Sequence, residues 1–216
     1  EKAWLDVEAR QNKAPGGFCA PLPESKESRI YLSHSGSFHN DLVVAHELGH
    51  GYHSHIVFSL PYFAQKYPMN LAEMASTFFE HITIEALSKG AKNKKIKKQI
   101  VFEKVQRHTF LLQNIYARFV FEESLYEKRK QGFILPDELS SMMEEAQKSA
   151  YGDIFETYHP HFWITKLHFY LTDISFYNFP YTIGYLLSLL LMQAAQQDPK
   201  SFDARYKALL LDTARL

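Results

Sequence analysis

Apolar residues recur along most of the chain with the spacing of an α-helix. Positions three and four residues apart are repeatedly apolar, which predicts a succession of amphipathic helices. These helices are predicted at residues 40–58, 70–87, 93–129 and 136–150, and from Tyr181 toward the C-terminus with a break near Asp198 and Pro199. Gly90 and Gly132 are predicted helix stops. No linker is long or flexible enough to mark a boundary, so residues 1–216 are expected to form one mainly α-helical domain.

The stretch before the first predicted helix has a different pattern. Glycine, proline and serine residues are frequent up to Glu27, and they predict a loop. The segment SRIYLSHSG then alternates in character and ends at Gly36, which predicts a short strand over residues 30–34. This strand leads directly into the first helix.

The composition is that of an ordinary globular protein. Of the 216 residues, 46% are apolar and 15% aromatic, which is enough to build a buried core. Lys and Arg together number 24, as do Asp and Glu, so no net charge attracts the chain to nucleic acid or to an anionic membrane. The five lysines between positions 92 and 98 are interpreted as a solvated helix start rather than a phosphate-binding patch.

Three further features suggest where the protein works. No apolar run reaches the roughly eighteen residues that a membrane span requires, so we expect no membrane partner. The single cysteine, Cys19, cannot form an internal disulfide, which favours a reducing compartment and therefore the cytoplasm. The chain begins EKAWLDVEAR, without an initiator methionine or a signal peptide, so we expect a cut or cleaved start with more sequence upstream.

The segment VVAHELGHGYHSHIVF carries the strongest chemical signal. In a helix, His46 and His50 lie about 6 Å apart along the axis and about 40° apart around it, so both imidazoles reach one point. This is the HExxH pattern, in which two histidines share a zinc ion and the intervening acid, here Glu47, carries a proton. His53 would lie about 10.5 Å from His46 along the axis, too far to join the same ion. We interpret His53 and His55 as packing or hydrogen-bonding residues.

A tetrahedral zinc site needs a third protein ligand, and the residues leave its identity open. Glu73 lies early in the next predicted helix, where a helical hairpin would bring it across to the histidines. Asn70 and Glu73 also have the form of a capping box, in which the acid serves only the helix start. Glu80, on nearly the same stripe as Glu73, is either a partner of a ligand histidine or a solvent-facing acid. The alternative for the whole segment is a buried helix whose histidines bind no metal.

Four segments together resemble the M3 metallopeptidases, and most closely their oligoendopeptidase F branch. They are DVEARQNKAPGGFCA, SGSFHNDLVVAHELGHGYH, LAEMASTFFE and HFYLTDISFYNFPYTIGYL, which occur in this order between Asp6 and Leu186. The resemblance implies a helical zincin-like catalytic domain with a short β-strand region before the HExxH helix. It also implies one Zn²⁺ ion bound by the ligands His46, His50 and Glu73, with Glu47 as general base.

The last of these four segments, HFYLTDISFYNFPYTIGYL, implies further roles through the same resemblance. In the family a histidine and tyrosines from this region donate hydrogen bonds to the developing oxyanion, and His168, Tyr177 and Tyr181 match them best, with Tyr185 as a further candidate. From the residues alone, a packed aromatic with a bonded hydroxyl is the preferred interpretation of each tyrosine, and His168, in an aromatic-rich segment, has the same alternative.

The resemblance also implies how substrate is bound. Family members cleave oligopeptides in a channel between two helical lobes, and the strand before the metal helix pairs with the substrate backbone. Here that role falls to Ile30, Tyr31, Ser33 and His34, as an edge open to β-augmentation. Family chains are much longer, so we expect a catalytic part whose missing N-terminal lobe is a partner.

The prediction is therefore a zinc-dependent endopeptidase acting on oligopeptides. Two alternatives stay open: a catalytically weak or silent fragment that binds zinc or peptides, and a helical interaction module without metal.

Overall fold

Helices dominate the computed structural model, which describes residues 4–14, 16–152 and 154–213. The strands are β1 (Leu5–Glu8), β2 (Gly17–Leu22) and β3 (Glu27–His34). The helices are α1 (Phe38–Val57), α2 (Met69–Gly90), α3 (Lys94–Thr109), α4 (Ile115–Arg129), α5 (Pro136–Tyr151), α6 (Phe179–Gln197) and α7 (Pro199–Asp212). The predicted mainly α-helical class, with a short β region before the HExxH helix, is confirmed. None of the described helices combines the length and apolarity that crossing a membrane requires.

The predicted helices differ from the observed ones mainly at their ends. α2 ends at Gly90, as predicted, and Gly132 follows α4 with a φ of +141°, which glycine adopts readily. The predicted helix over residues 93–129 contains a π-helical segment, Phe110–Asn114, between α3 and α4. Short 3-10 turns cover Tyr62–Gln65, Phe162–Thr165 and Leu167–Tyr170.

The predicted loop before Glu27 is wrong, because it contains strand β2. β2 pairs antiparallel with β3, from Gly17 opposite Leu32 to Leu22 opposite Glu27. It lies at one end of the strand order β1-β3-β2 among the described residues. A proline is tolerated in an edge strand because it need not donate a hydrogen bond to a second neighbour, which explains Pro21.

β3 is the central strand, so the prediction that it forms an edge open to substrate is also wrong. Ile30 and Tyr31 are paired on one side with β1, opposite Leu5 and Asp6, and on the other side with β2. Ser33 and His34 belong to the same strand, and His34 is paired with Glu8 of β1. The backbone of Ile30 and Tyr31 therefore has no free side for another peptide. Alternating apolar and polar residues indicate that a strand is buried on one face, but they do not show whether it pairs with one strand or with two.

The described residues group into two compact units, one of residues 4–104 and 183–213 and one of residues 105–182. In the first unit, α1 packs against β2, β3, α2 and α7. Its largest buried cluster consists of Met74, Ala75, Phe78, Tyr206 and Leu210. In the second unit, α4 packs on α5 around Phe121, Met143 and Ala146. That residues 1–216 form one catalytic domain stays a prediction.

Candidate metal centre

Two glycines let three helices approach closely around Glu73. A Cβ atom on Gly49 of α1 would lie 2.6 Å from the Cα of Ser76 and 2.7 Å from the carbonyl oxygen of Ala75, both on α2. A Cβ atom on Gly184 of α6 would lie 2.5 Å from the Cβ of Glu73. Real Cβ atoms do not approach this closely, so only glycine allows α1 and α6 to contact α2 at this level.

His46 and His50 of α1 and Glu73 of α2 lie together. Nε2 of His46 is 3.2 Å from Nε2 of His50 and 3.3 Å from Oε2 of Glu73. Nε2 of His50 is 3.8 Å from Oε1 of Glu73. Four ligands bound tetrahedrally to zinc at 2.0–2.1 Å would have their donor atoms about 3.3 Å apart. The two imidazoles and the carboxylate therefore fit a single zinc ion in both donor type and spacing.

Glu80 is the hydrogen-bonding partner of His46. Its Oε1 lies 2.6 Å from Nδ1 of His46, and the carboxylate is buried. A carboxylate at this position accepts the Nδ1 hydrogen, which leaves the lone pair of Nε2 available for a metal. The sequence alone allows two interpretations of Glu80, a partner of a candidate ligand histidine or a solvent-facing acid. Its burial and its contact with His46 favour the first.

The capping-box alternative for Glu73 is wrong. α2 begins at Met69 after the cap residue Pro68, and the side chain of Asn70 accepts a hydrogen bond from the backbone of Leu71. The Glu73 carboxylate instead faces the histidines of α1 and accepts a hydrogen bond from the hydroxyl of Ser76 at 3.2 Å.

Glu47 is buried beside the metal cluster but is not one of its three members. Burial raises the pKa of its carboxyl, and the neighbouring His46 partly offsets this effect. Gly17 of β2 covers it: a Cβ atom on Gly17 would lie 3.0 Å from Oε1 of Glu47. Sequence reasoning missed Gly17, although a glycine in a strand is a signal of close approach by another group.

His50, His53 and His55 of α1 differ in their environments. Burial, together with the charge of His46, lowers the pKa of His50 well below its usual value. A neutral imidazole is the form that ligates metals. His53 donates to or accepts from the hydroxyl of Thr213 at 2.7 Å and stacks on Tyr67 with ring centres 3.8 Å apart. His55 is exposed, so the interpretation of both residues as non-ligands agrees with their contacts.

The second unit brings together His168, Tyr177 and Tyr181. The ring centre of His168 lies 4.9 Å from that of Tyr177 and 6.1 Å from that of Tyr181, and the two tyrosines are 6.2 Å apart. Burial lowers the pKa of His168, and the positive charges of Arg118 and Lys166 lower it further. A neutral His168 and two phenols form a cluster of hydrogen-bond donors. Tyr185, in the first unit, is buried and packs on His81 with ring centres 5.3 Å apart.

Curated proteins similar to this chain are peptidases of bacteria. The chromosomal oligoendopeptidase F of Lactococcus lactis subsp. cremoris is 29% identical over 192 residues, which cover 86% of this chain and 31% of that protein. The group B oligopeptidase PepB of Streptococcus agalactiae is 28% identical over 188 residues, which cover 84% of this chain and 30% of that protein. The chain thus spans about a third of the length of these relatives.

Solved structures share the fold. A structure of PZ peptidase A with an inhibitor gives a TM-score of 0.79 at 19% identity, over 99% of this chain and 40% of that one. An X-ray structure named for oligoendopeptidase F gives 0.79 at 22% identity, with the same coverage of 99% and 40%. The sequence model of Peptidase family M3 matches residues 1–212. Because this match covers nearly the whole sequence, it shows that the chain belongs to peptidase family M3.

Proposed function

We propose that this chain is the catalytic part of a zinc-dependent endopeptidase that hydrolyses peptide bonds in oligopeptides. The observation that carries the proposal is the convergence of His46, His50 and Glu73 at the spacing of zinc ligands, with Glu47 buried next to them. Membership of family M3 supports the same reaction class.

Zinc bound by these three side chains would supply a Lewis acid that polarises the peptide carbonyl and lowers the pKa of water toward about 7. Glu47 takes a proton from the attacking water as its oxygen bonds to the carbonyl carbon. The same carboxyl then delivers this proton to the amide nitrogen as the carbon–nitrogen bond breaks. Burial supports this role, because a raised pKa brings the carboxyl closer to the pH at which it must both accept and release a proton.

β2 is the strand that we propose for substrate binding, in place of β3. It lies at one end of the described sheet, and its Gly17 is next to the Glu47 carboxylate. An extended peptide that pairs with the side of β2 that has no partner among the described strands would pass close to Glu47. Pairing through the backbone would make binding depend little on side-chain identity.

His168, Tyr177 and Tyr181 are the proposed donors to the oxyanion. Hydrogen bonds to charge that develops only in the transition state lower the barrier without tightening ground-state binding. The clustering of the three rings within one unit supports a shared role.

Relatives are about three times as long, so we propose that an N-terminal lobe partners this catalytic part and closes the substrate channel. The single Cys19 supports our prediction of a reducing compartment such as the cytoplasm.

The test is hydrolysis of an internally quenched fluorescent peptide, measured with and without a chelator, on protein whose zinc content is known. We expect chelator-sensitive hydrolysis, and we expect Glu47→Gln to abolish it while zinc stays bound. Zinc bound at one equivalent without any hydrolysis would support the silent zinc-binding fragment instead. Absence of both zinc and hydrolysis would overturn the proposal.

A further inference from the structure

Residues 176–182, which carry Tyr177 and Tyr181, are attached at three points to the helical run that contains the π segment and α4. All of these contacts lie within the second unit. They alternate with the two tyrosines along the chain, at Phe176, Asn178 and Thr182. This alternation indicates that hydrogen bonds to the helical run hold the two tyrosines in place.

The first attachment precedes Tyr177. Oε1 of Glu122, a buried residue of α4, accepts a hydrogen bond from the backbone N–H of Phe176 at 2.7 Å. Phe176 has a φ of +54°, a left-handed conformation that is unfavourable for a residue with a bulky side chain. Its ring packs against Phe119 and Tyr126, with ring centres 5.5 Å and 5.3 Å apart. Contacts to α4 therefore hold a strained backbone next to Tyr177.

The second attachment follows Tyr177. Nη1 of Arg118 donates to Oδ1 of Asn178 at 3.1 Å, and both side chains are buried. Nε of Arg118 donates to Oδ1 of Asn114 at 2.9 Å, so hydrogen bonds from two of its nitrogens, Nε and Nη1, fix the guanidinium. Glu122 and Arg118 lie one helical turn apart on α4, and they fix the residues on the two sides of Tyr177.

The third attachment follows Tyr181. The hydroxyl of Thr182 donates to the carbonyl oxygen of Leu111 at 2.5 Å, and Leu111 belongs to the π segment. Short π segments within helices are frequently found at functional sites.

We propose that Glu122 and Arg118 are positioning residues that fix the backbone on both sides of Tyr177 and so orient its hydroxyl for catalysis. The catalytic part of this inference rests on the proposed function, because it takes Tyr177 as an oxyanion donor. The part concerning backbone order does not depend on any activity.

Hydrogen exchange tests the backbone part on the whole chain. We expect Glu122→Ala to accelerate amide exchange in residues 173–178 by about tenfold or more, while α5 keeps its protection. Glu122→Gln keeps an oxygen acceptor and is expected to stay close to the parent. Glu123→Ala, a matched change at an exposed position of the same helix, is expected to leave exchange unaltered. Unchanged exchange in Glu122→Ala, or acceleration throughout residues 105–182, would overturn the proposal.

Kinetics tests the part that involves Tyr177. We expect Glu122→Ala to lower kcat by about tenfold with little change in KM, and to have no further effect in a Tyr177→Phe background, since both changes remove the same interaction. Additive losses would overturn the link to Tyr177. If the parent shows no chelator-sensitive hydrolysis, the proposed function fails, and hydrogen exchange still decides whether Glu122 orders the segment.

Discussion

Nδ1 of His46 and Oε1 of Glu80 lie 2.6 Å apart, across the interface between α1 and α2. Glu73, one metal-ligand candidate, and Glu80, which orients another, are seven residues apart and therefore on one face of α2. A single helix face thus supplies both one candidate ligand and the hydrogen-bonding partner of a second candidate. We expect any change that moves α2 relative to α1 to affect both at once.

Loss of the Glu80 carboxylate is predicted to weaken zinc binding without removing a ligand. Glu80→Ala frees the His46 ring to rotate and to carry its hydrogen on either nitrogen, so we expect zinc affinity to fall by about 10- to 100-fold. Competition with a chromophoric chelator measures this affinity. The control is Glu85→Ala, on the same helix, where the acid forms a surface salt bridge with Lys89. Equal affinities for Glu80→Ala and the parent would remove Glu80 from the site.

Adding one methyl group at Gly184 is predicted to displace Glu73. The new Cβ would meet the Cβ of Glu73 at 2.5 Å and its carbonyl carbon at 2.7 Å, and backbone atoms cannot move aside as a flexible side chain can. We expect Gly184→Ala to lower the free energy of unfolding by about 1–3 kcal/mol and to reduce zinc retention. Gly90→Ala is the matched control, because no atom of the described residues lies within 4 Å of a Cβ atom there. Denaturation curves and zinc content of the two variants check the prediction, and similar values for both would contradict it.

Local spacing was sufficient to predict part of the site. His46 and His50 share a helix face whatever surrounds that helix, so their convergence follows from helix geometry alone. Glu73 is different, because its approach depends on how α2 packs on α1, and the residues alone suggested an equally good cap with Asn70. Only the resemblance to a family favoured Glu73 as a ligand.

Long-range pairing explains what sequence reasoning missed in the sheet. Gly17 and Pro21 give β2 the composition of a loop, yet an edge strand tolerates both residues. The alternation in β3 correctly indicated a strand, but its central position depends on β1 and β2, which lie elsewhere in the sequence. The contact of Gly184 with Glu73 likewise joins residues more than a hundred positions apart and has no local signal beyond a glycine within a helix.

Lys13 is predicted to stabilise the sheet more than an exposed ion pair would. Its side chain is 1% exposed, and its ammonium donates to the carbonyl oxygens of Asp6, Glu8 and Leu32 at 2.6–2.9 Å. Lys13→Met removes the donor from these carbonyl oxygens, two of which, those of Asp6 and Leu32, are partly buried, so we expect a loss of about 3 kcal/mol in the free energy of unfolding. Arg10→Met, the control, removes an exposed partner of Asp6 and is expected to change stability little. Chemical denaturation of both variants tests the difference, and comparable losses would contradict it.

His53 is predicted to make the metal-free protein less stable in acid. Burial lowers the pKa of His53 to about 4, compared with a value of 6.5 when it is exposed. Between these values the unfolded chain binds a proton that the folded chain does not, so stability present above pH 6.5 is lost as the pH falls toward 4. For a group this deeply buried the loss amounts to about 3 kcal/mol.

The pH dependence of a variant isolates this effect from other titrating groups. His53→Gln can still hydrogen bond to Thr213 but does not titrate, so its free energy of unfolding should fall less steeply from pH 6.5 to 4 than that of the parent. His55→Gln alters an exposed histidine two positions before the end of α1 and should keep the parent's slope. Urea denaturation at several pH values, with chelator present throughout, gives the three slopes. A parent slope in His53→Gln would contradict the prediction, because it would mean that the folded imidazole takes up its proton over the same pH range as the unfolded one.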